Sequence, residues 1–290
     1  MFDLLQGYRE CARVTQQHAR TFHLASYALG PVRRRGAFAV YAFCRRIDDT
    51  VDEAEGAPRD VLEQHIARLR EQLDAVCSHR ALDDPQLLAL RDTIRRFGIE
   101  RRPFDELIDG VASDIDLAQI ETEEELDRYC YLVAGTVGLI MARLFGVRTE
   151  SALTHAIDLG KAMQLTNILR DVREDLLEKH RVYLPANRLR EAGIAADDLR
   201  ASTASPALRG VVAGLAARAR VLYASADRGI PMLVSPSGRA ATAIMSDSYA
   251  EILSVLEEKN WDVLAGRASV SSGRRIALAV RAIRRTASAP

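Results

Sequence analysis

Twice in this chain an apolar helical run ends in two aspartates four residues apart, in "YAFCRRIDDTVDE" (41–53) and "QLTNILRDVREDL" (164–176). Residues four apart share one helix face, with Cβ atoms roughly 6 Å from each other. Asp48 and Asp52 therefore point the same way, as do Asp171 and Asp175. Like charges at this spacing cost a few tenths of a kcal/mol in an isolated helix. A chain that accepts the cost twice has either two solvated helix ends or a cation to offset it.

Following each face back toward the apolar run separates these readings. The first face reads Tyr41, Arg45, Asp48, Asp52, and the second Gly160, Gln164, Asn167, Asp171, Asp175. Both stripes enter segments patterned for burial, "GAFAVYAF" and "IDLGKAMQLTNIL". Buried polar groups need partners. A solvated end accounts for either pair alone. A water-filled, ion-containing cavity between the two helices satisfies both stripes together. The available donors are carboxylate and amide oxygens, which suit Mg²⁺ or Mn²⁺ rather than zinc. Arg45, Arg170, Arg173 and Arg181 lie beside the acids and are suited to phosphate oxygens. Asp49 and Arg46 fall off the stripe and are expected in solvent or in salt bridges.

The remainder of the chain is helical in pattern, with little strand-like alternation. Helices are expected at 3–20, 32–53, 58–78, 86–97, 103–117, 123–146, 150–178, 207–228, 237–260 and 273–285, giving an all-α, single-domain bundle over 1–290. Pro85, Pro103 and Pro206 each fit a helix start. The long connection 179–206 suggests a mobile functional flap, and the tail "RRTASAP" is expected to fray. Gly135 and Gly138 in "AGTVG" mark a close approach to a ligand or to another helix.

Forty basic residues balance forty acidic ones, so no net field draws the chain to nucleic acid. The four cysteines form no Cys-x-x-Cys pair and read as free buried thiols in a reducing compartment. The six histidines show no His-x-x-x-His spacing. The N-terminus does not read as a secretory signal, and the apolar window 133–147 is short for a bilayer and contains Arg143. A cytoplasmic protein, with peripheral membrane contact near the flap, is the expectation; oligomeric state is not legible.

With these motifs in view, the chain resembles the squalene/phytoene synthase family, the head-to-head prenyl synthases. The resemblance rests on "HARTF" (18–22), the two aspartate motifs, "YCYLVAGTVG" (129–138), "RVYLP" (181–185) and the C-terminal "NWDVLAGRASVSSGRRI" (260–276). It implies an isoprenoid-synthase-type fold around a central cavity. It implies that Asp48 and Asp52 bind Mg²⁺ from one wall, and Asn167, Asp171 and Asp175 from the other. Arg45, Gln164, Arg170, Tyr249 and Arg267 would contact diphosphate or its flanks. His18, Arg20 and Thr21 would close the mouth, Tyr41 and Phe22 would line the tunnel, and Arg181 and Tyr183 would belong to the flap.

The implied reaction joins two identical allylic diphosphates through a cyclopropylcarbinyl diphosphate. Ionisation needs charge stabilisation and a dry, apolar cavity for the cation, with Tyr41, Phe22 and Tyr249 placed for cation–π contact. The phytoene-like C-terminus favours a non-reductive outcome without NADPH. The alternatives are a farnesyl version leading to dehydrosqualene, squalene or hydroxysqualene, and a non-catalytic helical subunit. Ser26, one turn beyond Phe22, leaves room for a longer tail and so favours C20 over C15 substrates.

Overall fold

The computed structural model describes residues 4–52, 58–113 and 117–287. The side chains of Arg20 and Asp52 lie outside the described residues. Among these residues the chain is α-helical, and β pairing is limited to two isolated bridges, Gln119–Val182 and Val147–Leu233.

Local chemistry sets the helix starts. Asp84 accepts hydrogen bonds from the backbone N–H groups of Gln86 and Leu87 ahead of Pro85. Thr122 caps the Glu125 N–H, Ser205 that of Leu208 and Ser235 that of Gly238. Each side chain satisfies an orphan donor of the first turn. The Pro85–Phe97 helix ends at Gly98, whose φ of 61° is the left-handed C-cap conformation open to glycine.

In chain order the helices are α1 (Leu4–His18), α2 (Arg20–Ala25), α3 (Pro31–Asp52), α4 (Arg59–Cys77), α5 (Pro85–Phe97), α6 (Arg102–Ser113), α7 (Glu123–Cys130), α8 (Thr136–Phe145), α9 (Ala152–Glu178), α10 (Ala186–Glu191), α11 (Pro206–Gly229), α12 (Pro236–Glu258) and α13 (Ser272–Ala287). The core divides into two large apolar clusters. One surrounds α3 through Val40, Phe43 and Ile47, with Leu90, Phe104 and Leu144. The other surrounds α9 through Leu165, Ile168 and Leu169, with Leu208, Leu215 and Leu253. Val133 packs against both. The two aspartate-bearing helices therefore belong to different halves of the core, and the cavity lies between them.

Several expectations change. The helix expected over 3–20 breaks at Ala19, which leaves the helical region with φ −134° and ψ 63°. The helix expected over 123–146 contains one π-helical turn, Tyr131–Gly135, between α7 and α8. This continuous 23-residue stretch has the length and mean hydropathy of a membrane span, 1.2. It is packed on two sides, however. A Cβ on Gly110 of α6 would lie 2.6 Å from the Leu132 Cβ, and one on Gly138 would lie 2.2 Å from the Ala156 carbonyl oxygen of α9. Gly138 thus serves helix–helix approach.

The 179–206 connection is not an unanchored flap. Tyr183, Leu184, Leu189, Ile194, Leu199 and Ala204 are buried in the α9 cluster. The Val182 N–H donates to the Ala118 carbonyl, and the Ala204 N–H donates to Asp262 at 2.9 Å. Apolar residues spaced along the segment give it a core face despite its polar composition. The tail is helical through Ala287, held where Arg285 pairs with Asp227 and Asp247, each at 3.1 Å. Of the cysteines, Cys11 and Cys130 are buried, Cys44 is half-buried and Cys77 is exposed at the end of α4.

Candidate active site

A cavity of about 840 Å³ runs between α3 and α9. On α9 its wall is Ala152, His155, Ala156, Leu159, Gly160, Met163, Gln164 and Asn167. These positions follow the three- and four-residue steps of one helix face. At 1.5 Å per residue they extend the wall over about 22 Å. Ala37, Val40, Tyr41, Cys44 and Asp48 do the same on α3. Both walls are mostly apolar toward the helix N-termini, His155 excepted, and polar toward the C-termini, so the cavity has a greasy end and a charged mouth. The charged mouth lies toward the C-terminal, negative ends of the α3 and α9 dipoles, with Asp48 close to the last turn of α3. Carboxylates are disfavoured there unless a cation is near.

Of the residues expected from sequence, His18, Thr21, Phe22, Tyr41, Asp48, Gln164, Asn167, Arg170, Tyr249 and Arg267 all line this one cavity. Phe22 and Tyr41 meet with ring centroids 5.7 Å apart. Burial pushes the Tyr41 hydroxyl up to about 12, against the pull of Arg45. Burial likewise raises Tyr249, opposed by Arg170. Both phenols are neutral at physiological pH and present polarisable faces to the cavity. The Ser26 side chain is buried, donates to the His23 carbonyl at 2.6 Å and also lines the cavity.

Asp171 lies behind this lining and is clamped on both oxygens. Arg170 donates through Nε at 2.8 Å and through a terminal nitrogen at 2.5 Å. Arg267 approaches the same carboxylate at 2.9 Å and also pairs with Glu174 at 3.2 Å. The segment after α12 thus delivers a guanidinium to an α9 acid 96 residues away. The Asn167 Oδ1 is buried and without a hydrogen-bond partner. A buried acceptor left unpaired costs about 1–3 kcal/mol, so this oxygen, on the cavity wall, calls for a partner from within the cavity.

Asp175 is buried, pairs with Lys179 at 3.5 Å, and has its pKa raised by that burial. It sits with Arg181 and Tyr183 around a separate small pocket. Neither Arg181 nor Tyr183 lines the main cavity. Tyr183 stacks on Tyr129, ring centroids 5.1 Å apart. Arg45 forms an ion pair with Asp49 rather than lining the cavity. Arg46 pairs with Asp84 at 2.7 Å, as its off-stripe position implies.

Sequence reasoning picked out Ser26 but missed its apolar neighbours Ala25 and Leu29, and Ile230 and Leu233 after α11, because such residues carry no polar signature. It also missed a half-buried network beside the greasy end. Ser225 Oγ donates to Asp158 at 2.5 Å and contacts His155 Nδ1 at 2.8 Å. With the serine proton spent on Asp158, His155 is left to donate through Nδ1. The available signal was His155 and Asp158 three residues apart on one helix.

A profile of the family described as squalene/phytoene synthase matches residues 15–274. The chain belongs to the squalene/phytoene synthase family. It is 39% identical over 275 residues to the phytoene synthase of Thermus thermophilus, covering 95% of this chain and 92% of that one. It is 34% identical over 284 residues to the 15-cis-phytoene synthase of Synechocystis, covering 93% and 82%. A dehydrosqualene synthase solved in complex with a ligand superposes with a TM-score of 0.90 at 29% identity, over 98% of both chains. A squalene synthase from Alicyclobacillus acidocaldarius gives 0.81 at 26% identity, over 89% of this chain and 95% of that one. Membership makes this protein a prenyltransferase with the all-α isoprenoid-synthase fold.

Proposed function

We propose that the protein condenses two geranylgeranyl diphosphates head to head to give phytoene, with Mg²⁺ held at the mouth. The observation that carries this reading is a cavity whose α9 wall is mostly apolar for about 16 Å, from Ala152 to Met163, and opens to a mouth of Asp48, Asn167, Arg170 and Arg267. Phytoene synthases of Thermus and Synechocystis are among its relatives.

The donor set fits the metal. Among the described residues no three acids, cysteines or histidines converge on one point. Mg²⁺ is commonly held by one or two carboxylates together with substrate phosphates, so such a cage is not required. Asp48, Asp52, Asn167 and Asp171 would hold it, joined by Asp175 only on a turn of its side chain away from the small pocket and Lys179, and Mn²⁺ has the same preference. When bound, it would supply Lewis-acid stabilisation of the departing diphosphate.

The chain's own residues account for the rest. Arg170 and Arg267 are ready to exchange Asp171 for diphosphate oxygens, with bidentate geometry. The departing diphosphate leaves an allylic cation facing Tyr41, Phe22 and Tyr249, whose ring faces stabilise it by about 0.5–2 kcal/mol each. The apolar shaft keeps water from that cation and from the cyclopropylcarbinyl cation that follows the second ionisation. The double bond of the second molecule attacks the allylic cation and one proton is lost as the cyclopropane closes; after the second ionisation, rearrangement and loss of a second proton give the central triene, without NADPH. Ser26 sets the tail length, since its small side chain leaves the shaft open beside Phe22.

The test is the product mass after incubation with geranylgeranyl or farnesyl diphosphate and Mg²⁺, with and without NADPH. Phytoene from the C20 substrate, unchanged by NADPH, is expected. Turnover of the C15 substrate alone would replace this reading with the dehydrosqualene or squalene alternative suggested by the solved relatives.

A further inference from the structure

Arg173 stands among the acids of the second motif, yet it does not line the cavity. Its guanidinium donates instead to the Leu264 carbonyl, 91 residues away, at 2.6 Å. A charge that lies beside Asp171 and Glu174 in sequence is thus spent on a main-chain oxygen. Such charge-assisted bonds are short and strong. The turn that receives it is strained. Asn260 and Trp261 are successive non-glycine residues in the left-handed region, with φ 53° and 58°, and Gly266 has φ 136°. Conformations of this kind persist only where the surroundings over-determine them, and they cluster at functional sites.

Two anchors hold this turn. Asp262 ties its near side to α11. It accepts from the N–H groups of Ala204 at 2.9 Å, Ala265 at 3.2 Å and Leu264 at 3.3 Å, and pairs with Arg209 at 2.7 Å. Arg209 also donates to the Asn260 carbonyl at 3.0 Å. Arg173 ties the far side to α9. Leu264 and Ala268 are buried, and between them Ala265, Gly266 and Arg267 are not. From this short bridge Arg267 reaches back to α9, to Asp171 at 2.9 Å and Glu174 at 3.2 Å. Asp171, Arg173 and Glu174 fall within about one helical turn. The latch and the partners of Arg267 are therefore fixed to the same rigid stretch of α9.

We propose that Arg173 is a positioning residue for Arg267: by latching the Leu264 carbonyl to α9, it fixes the backbone three residues before Arg267 and so holds that guanidinium at the cavity mouth. The proposal rests on the proposed function, in which Arg267 exchanges Asp171 for a diphosphate. Without the latch, the bridge would be held to α9 mainly by the pairing of Arg267 with Asp171, which is the contact that breaks on exchange. With the latch, the backbone stays and only the side chain moves, so the ordering of the bridge precedes binding. Gripping phosphate directly, as the sequence position of Arg173 suggested, would require it to leave Leu264 and enter a cavity that it does not line.

Two measurements on the full chain test the proposal. Hydrogen exchange over 262–268, read by mass spectrometry, needs no ligand. Arg173→Met should speed exchange there about tenfold and leave α9 and α11 as in wild type, because methionine matches arginine in helix propensity. Calorimetric titration with inorganic diphosphate and Mg²⁺ reads the consequence. Arg173→Met should weaken binding about fivefold and Arg267→Met about tenfold, while adding the first substitution to the second should change it less than about twofold, since a residue that acts only through another has no effect once that other is gone. Arg173→Lys keeps a donor for the carbonyl and should restore most of the affinity. Unchanged exchange or wild-type affinity in Arg173→Met overturns the proposal. So do losses that multiply in the double variant, because Arg173 would then touch the diphosphate itself. A chain that shows the exchange contrast but whose wild type binds no inorganic diphosphate would support the latch and overturn the diphosphate reading of the mouth.

Discussion

Gly160→Ala on α9 is a one-methyl test of the contact that shapes the cavity. A Cβ at this position would lie 2.2 Å from the Ala134 carbonyl oxygen, 2.6 Å from its carbon and 2.8 Å from the Gly135 Cα. Ordinary contact begins at 3.4 Å, so the methyl is about 1.2 Å too close. Every neighbour is backbone of the π-helical turn, and none can rotate away. Overpacking of this kind costs about 1–3 kcal/mol. Backbone against backbone belongs at or above the upper end, and the gain in helix propensity returns about 1 kcal/mol. A net loss of about 2 kcal/mol should lower the melting temperature by roughly 3–4 °C.

The same shift moves α9 against the π turn by about an ångström, displacing Gln164 and Asn167 one and two turns further along. A misplacement of that size costs up to about 10²-fold in rate. Gly214→Ala on α11 is the control, because a Cβ there meets nothing within 4 Å. It should stabilise by about 0.5–1 kcal/mol. Calorimetry and steady-state turnover on both variants check the reasoning. A Gly160→Ala enzyme that melts as high as Gly214→Ala and keeps full turnover would refute it.

Asn167→Leu removes a buried acceptor that has no partner, so thermal stability without metal should stay level or rise by about 1 kcal/mol. Turnover should nevertheless fall about 10²-fold or more, and the melting shift on adding Mg²⁺ should shrink; retained turnover would exclude Asn167 from the site. Ser26→Phe should shift product formation from the C20 toward the C15 substrate, read by product mass, and an unchanged C20 preference would remove Ser26 as the length determinant. Burial opposes the charge on Asp262, but the N–H groups of Ala204, Leu264 and Ala265, together with Arg209, outweigh it and hold its pKa below the ordinary carboxylate value. Its stabilisation is therefore present at neutral pH, above the unfolded value, and is lost as pH falls through the lowered one. Asp262→Ala should cost about 2–4 kcal/mol at pH 7 and flatten the acid limb of the stability curve; an unchanged limb would contradict that assignment.

Much of the site was legible in sequence because helix geometry is local. Four-residue spacing is enough to place Tyr41 with Asp48, and Gln164 with Asn167, on common faces, and a polar stripe entering an apolar run implies a cavity. Residues brought in from other helices were not determined this way. Nothing local to Arg267 says that it closes on Asp171, or that Asp175 faces a separate pocket beside Arg181. The 179–206 connection looked loose because its core-facing residues are sparse, and burial of Tyr183, Leu189 and Leu199 is decided by neighbours far along the chain.

The sequence by itself determined an all-α chain with two facing acidic helices, since periodicity and spacing act within a few turns. Only the tertiary structure decided which charges meet and how deep the shaft runs. Those depend on contacts between helices distant in sequence.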